Sequence, residues 1–195
     1  MSASFTFDVE KASAAIAYLA SKGIPDLTKG KICKLVFLAE KHRLVRFGRP
    51  ITGDCICAMK DGPVPSFILD MLNNLLSESA GSSSSLLAAN VSVNRKFSNP
   101  HFEAPMFNLH DFLSESDFEA LDSVTQSHGA KTFSELRRMT HDIPAYRKAW
   151  NNQPYASPKM AFEDFFEEDD EALRGALDEM TENAKLREAF AGPAF

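Results

Sequence analysis

The chain has 195 residues, 44% of them hydrophobic and 25% charged, with a formal net charge of −6. That length suits one domain of ordinary size whose core needs no staples, and the odd set Cys33, Cys55 and Cys57 excludes a complete disulfide framework. Residues 163–195 hold eleven acidic and three basic side chains and leave 1–162 at a net +2, so the broad positive footprint that nucleic-acid binding needs is missing.

In chain order, Asp8 is placed to cap a first helix whose apolar positions Val9, Ala12, Ile16, Leu19 and Ala20 share one face. Gly23, Ile24 and Pro25 stop it. Thr28 opens a second helix that runs to about Phe47, and five consecutive apolar residues at 35–39 make it apolar on most sides and central to the core. Residues 48–66 are densely punctuated. Gly48 closes the helix, Pro50 blocks its continuation, and Gly53-Asp54 turns the chain into a β-prone stretch at 55–59. Asp61-Gly62-Pro63 ends that stretch, Pro63 and Pro65 force an extended path, and Ser66 is placed to cap a third helix. That helix carries an apolar stripe of Phe67, Ile68, Met71, Leu72, Leu75 and Leu76.

Residues 81–85 read as a flexible glycine–serine loop, 91–97 as an edge strand, and 98–106 as proline-containing coil. Ser114 or Ser116 caps a helix ending near Gly129, and Thr132 with Glu135 forms a capping box for the next. Pro144 interrupts that helix, and 145–151 adds one or two further turns. In the tail, Phe162, Phe165 and Phe166 sit among acids. Asp169 or Asp170 then opens a helix with Leu173, Leu177, Met180 and Ala184 on one face, ended by Gly192-Pro193. The expected fold is therefore α+β and predominantly α-helical. It is a single compact domain with a small sheet or hairpin around 55–59, with 91–97 as a candidate addition, and an acidic C-terminal helix.

Two blocks carry a resemblance. The run Lys34-Leu35-Val36-Phe37-Leu38-Ala39-Glu40, followed by Gly48-Arg49-Pro50-Ile51-Thr52-Gly53-Asp54, the Ala58-Met59 strand and Gly62-Pro63-Val64-Pro65-Ser66, resembles the Panacea domain, or SocA-like antitoxin domain. A second, weaker block is Met139-Thr140-His141 with Ala145-Tyr146-Arg147-Lys148-Ala149-Trp150. The resemblance covers about 9–150 and places the domain at 1–158, with 159–195 as an acidic extension. It implies a non-catalytic antitoxin of a type II toxin–antitoxin system that neutralises a cognate protein toxin encoded next door. Relatives imply two alternatives: an adaptor delivering the toxin to an AAA+ protease, or a phage-associated accessory protein binding another partner. The family helix begins near residue 9, so direct DNA binding is not expected. Residues 1–5 lack the basic and apolar regions of a secretory signal, and no apolar stretch reaches membrane-spanning length. The expected site is the cytoplasm, without membrane contact.

Candidate chemistry is sparse. Cys55-x-Cys57 with Cys33 and His42 misses the usual zinc spacings, so the cysteines read as small buried thiols and no metal or cofactor is expected. Cysteines, His42, His141 and nearby aspartates lack a nucleophile context, so no catalytic residue is expected. Lys34, Leu35, Glu40, Gly48, Arg49, Pro50, Ile51, Gly53, Asp54, Met59, Gly62, Pro63 and His141 form the structural motif, His141 locking the C-terminal block against the Gly62-Pro63 turn. The Gly62–Pro65 run shapes that turn or doubles as a rigid binding ridge. Lys60, Asp61, Val64 and Pro65 are then toxin contacts, with Lys60, Asp61 and Val64 as its exposed reporters. Phe162, Phe165 and Phe166 either fold the tail onto its own domain or anchor a basic partner.

Overall fold

The computed structural model describes residues 5–77, 85–105, 109–152 and 156–166, together with 175 and 178. Helix α1 (Val9–Ser21) starts at Asp8, whose Oδ1 accepts from the Glu10 and Lys11 amides at 3.1 and 3.0 Å. Helix α2 (Lys29–Phe47) starts at Thr28 and ends at Gly48, which adopts φ 75° and donates its N–H to Leu44 O at 2.9 Å. Only glycine takes that left-handed position without a Cβ penalty. Ile32, Leu35, Val36, Phe37 and Ala39 are fully buried, so α2 is the core helix its apolar run predicts.

Strands β1 (Ile56–Met59) and β2 (Gly62–Pro65) form an antiparallel hairpin pairing Ile56 with Pro65 and Met59 with Gly62. The stretch that its prolines were expected to hold extended is thus a paired strand. It tolerates two prolines because of register. Ile56 and Ala58 turn their backbone groups the other way, to Met160 N and Pro158 O at 2.8 Å each. Their partners Pro65 and Pro63 therefore sit where the ladder calls for no N–H. Residues 158–160 thereby cover the second edge of β1.

Helix α3 (Ser66–Ser77) follows directly. Ser66 is not its cap: its hydroxyl donates to Cys55 O at 2.9 Å. Asp54 caps it instead, Oδ1 accepting from Phe67 N at 3.0 Å and Oδ2 from Ile68 N at 2.9 Å. A carboxylate thirteen residues upstream is a stronger acceptor for the positive end of a helix than a hydroxyl.

Helix α4 (Ser85–Asn90) was not expected, and residues 81–84 of the predicted loop lie outside the described residues. Strand β3 (Ser92–Asn94) pairs antiparallel with β4 (His101–Glu103), a segment expected to be coil. The two hairpins form separate sheets. Phe102, 2% exposed, anchors the second one and donates its N–H to Leu27 O at 2.9 Å.

Helix α5 (Glu115–His128) begins at a Ser114/Asp117 capping box, and α6 (Phe133–His141) at the predicted Thr132/Glu135 box. Helix α7 (Pro144–Asn152) starts on its proline, where the missing N–H costs no bond. A short 3₁₀ turn, Phe162–Phe165, brings Phe165 against Phe37 of α2, ring centroids 5.9 Å apart. Apart from residues 175 and 178, the predicted acidic C-terminal helix lies outside the described residues.

One buried ionic centre ties three helices together. Asp117 of α5 has no exposed side-chain surface and faces Lys11 Nζ of α1 at 2.8 Å and Arg43 Nε of α2. Among the described residues no helix is long and apolar enough to cross a membrane.

Candidate functional site

The 34–66 motif is first a device for holding irregular backbone. Glu40 and Arg43, one turn apart on α2, grip the loop at 49–52 with opposite chemistry. Glu40 accepts from Ile51 N at 2.7 Å, Thr52 N at 2.9 Å and the Thr52 hydroxyl. Arg43 NH1 donates to Arg49 O at 2.8 Å and Pro50 O at 3.4 Å. The loop's donors and acceptors are thereby met inside the protein, as buried backbone requires. Burial pushes the Glu40 carboxyl up to about 7 despite the donors around it. Burial also raises Asp54, against the helix amides it caps. Gly53 adopts φ 69°, and a Cβ there would stand 2.5 Å from Thr6 O.

A second cluster surrounds the hairpin. Lys34 is 1% exposed and donates from Nζ to Pro63 O at 2.8 Å, and burial brings its ammonium down to about 8. Gly62 adopts φ 100° against Lys34 Nζ, Thr140 Oγ1 and His141 Cδ2, each 3.0 Å from where a Cβ would sit. His141 stacks on Tyr146, centroids 4.8 Å apart and planes within 6°, and Tyr146 OH donates to Met59 O at 2.9 Å. Burial, then the Arg137 and Lys34 charges, hold the imidazole below its usual value. His141→Ala is expected to lower the melting temperature by about 4–8 °C, from roughly 2 kcal/mol of lost packing. Thermal unfolding checks this, and an unchanged temperature contradicts it.

The other proposed contact residues fall apart into different settings. Lys60 and Asp61 are exposed at the hairpin tip, Asp61 bonded to Arg137 Nε at 2.9 Å. Val64 is 8% exposed and Pro65 is buried, so neither forms the exposed ridge that the proline spacing suggests. They are covered because β2 packs on α2 and α6. Phe165 is 8% exposed, while Phe162 and Phe166 are half-buried against the core.

Phe162 alone of that set lines an aromatic groove of about 560 Å³, bounded also by Phe5, Phe7, Phe67, Cys55, Cys57 and Lys159. Phe67, placed by its helical spacing on a buried stripe, is 48% exposed and stacks on Phe7 at 5.0 Å. Phe5 meets Phe162 edge-on at 5.1 Å. Phe5, Phe7 and Phe67 are not legible as a site along the chain, because residues 5–7, 54–57, 67 and 159–162 meet only in space. The alternation Phe5-Thr6-Phe7 is the one local signal available.

The histidines and cysteines do not converge on a catalytic arrangement. Cys33 is buried in α2, its thiol pushed up to about 12 by burial, and Cys57 is pushed up to about 11 by burial and then by Cys55. Thiols so shifted are poor nucleophiles at neutral pH. His42 lines a different groove, of about 430 Å³, with Lys41, Ser127 and His128. No group of three or more His, Cys, Asp or Glu among the described residues is arranged to hold a metal ion.

A family model described as antitoxin SocA-like, Panacea domain, matches residues 32–151, the span from α2 to α7 that holds both clusters. No curated protein and no solved structure matches the chain.

Proposed function

The chain belongs to the SocA-like antitoxin family, the Panacea domain, and on that premise we propose that it binds and neutralises a cognate protein toxin by direct complex formation, without catalysis. The aromatic groove carries this reading. A half-exposed phenylalanine stacked on a second, beside a cavity of about 560 Å³, supports a protein contact there, because aromatic side chains are enriched at interfaces. Most motif side chains are committed to backbone and core, whereas Phe67 has a ring face left for a partner. The fitting occupant is a toxin segment with an aromatic or aliphatic anchor for the groove and a neighbouring acid for Lys159. Masking of the toxin's active surface follows from such contact, and toxin abundance stays constant while its activity falls.

Two measurements test this. The reading frame adjoining this gene is expected to be lethal when expressed alone and harmless when co-expressed with the chain. Harmlessness alone would remove the reading. Phe67→Ala is expected to weaken toxin binding by about thirtyfold or more while lowering the melting temperature by no more than about 4 °C. Wild-type affinity in that variant would move the interface elsewhere.

A further inference from the structure

We propose that Cys55 and Cys57 form a two-thiolate site for one soft monovalent ion, copper(I) by class, at the wall of the aromatic groove. Period-two geometry puts both side chains on one face of the strand and Ile56 and Ala58 on the other. Ile56 and Ala58 belong to the core cluster and Cys57 does not. The two Sγ atoms stand 4.0 Å apart, and both residues line the open groove. With metal–sulfur bonds of about 2.3 Å, that separation closes an angle of roughly 120°. An ion bridging the pair would thus keep a third position facing the groove.

The chemistry selects the ion. Thiolates favour soft copper(I) over hard cations. Zinc wants four ligands in a structural site, and no third or fourth from His, Cys, Asp or Glu converges here among the described residues. On binding, each thiol gives its proton to solvent as a sulfur–copper bond forms, and copper stays at +1, so no electrons move. The resulting bis-thiolate carries one negative charge. Lys159 bridges to Cys57 across the antiparallel pairing, which sets its ammonium on the same face to offset that charge. The nearby Asp54 carboxylate is already held by the Phe67 and Ile68 amides.

The test is an anaerobic titration of the full-length chain with copper(I) against a colorimetric copper(I) chelator, with no toxin present. It therefore stands or falls apart from the antitoxin reading. Wild type is expected to draw one equivalent from the chelator. Cys55→Ser and Cys57→Ser are each expected to lose it, with unchanged circular dichroism, while Cys33→Ser keeps it. Lys159→Met is expected to weaken binding several-fold, and zinc is not expected to compete. Failure of wild type to take copper, or equal uptake by Cys55→Ser, overturns the proposal.

Discussion

Asp117→Ala is expected to destabilise the protein by about 3–5 kcal/mol, the cost of leaving a buried cation without its partner. Asp117 is wholly buried and Arg43 is 4% exposed, so neither gains from solvent. Removing the carboxylate strands the guanidinium between α2 and α5 and frees Lys11 from α1. It also breaks the Ser114 capping box, because Oδ2 accepts from Ser114 N at 2.9 Å. For a chain this long the loss corresponds to a melting temperature lowered by roughly 10 °C. Lys11→Met should cost far less, because Lys11 keeps 29% of its side chain exposed. Burial alone would raise Asp117, but Lys11, Ser114 and Arg43 together hold it below the usual carboxylate range. Its contribution is therefore present above the unfolded value and lost as pH falls through the folded one. Denaturant unfolding of wild type and variant at neutral and acidic pH reads both effects, and a neutral-pH difference under about 1 kcal/mol would contradict the assignment.

Glu40→Ala is expected to cost about 3 kcal/mol, because it leaves the Ile51 and Thr52 amides buried without acceptors. Glu40 also sets a pH dependence of opposite sign to Asp117. Its folded value, about 7, lies above the reference 4.5. The stability it adds is therefore fully present below about 4.5 and lost as pH rises through 7. Glu40→Gln cannot titrate, so its stability should be flatter than wild type across that window. Unfolding curves at several pH values between 4 and 8 check this, and a Glu40→Gln profile parallel to wild type would contradict it.

Local signals in the sequence were legible at several helix ends whose cause lay within four residues. Asp8, Thr28, Gly48, Thr132 and Pro144 act at the helix ends their chemistry predicts. Causes lying farther along the chain were not. The cap of α3 is Asp54 because the 51–54 loop folds back under the helix, which no spacing rule reports. Strand β4 is three residues long and exists through its pairing with β3 and the Leu27 carbonyl, not through propensity. The Lys11–Arg43–Asp117 centre joins side chains from three helices, so it emerges only once α2 and α5 are packed.

The same division explains what the motif means. Lys34, Glu40 and Asp54 are tied to backbone by hydrogen bonds, Gly53 by its close approach to Thr6 O, and Gly62 is enclosed by the Lys34, Thr140 and His141 side chains. A motif of this kind specifies a scaffold. It says little about the face that meets a partner. The groove proposed as the toxin contact takes Phe5, Phe7, Phe67 and Phe162 from both flanks of the motif, while Gly53, Asp54 and Ser66 of the motif form part of its wall.

The most direct measurement is calorimetric titration of the product of the adjoining reading frame, the proposed toxin, with wild type, Phe67→Ala and a Lys60→Ala/Asp61→Ala double variant. Tight wild-type binding is expected, with a loss of about thirtyfold or more for Phe67→Ala and a change of about threefold or less for the hairpin-tip double variant. Wild-type affinity in Phe67→Ala with binding abolished in the double variant would contradict it.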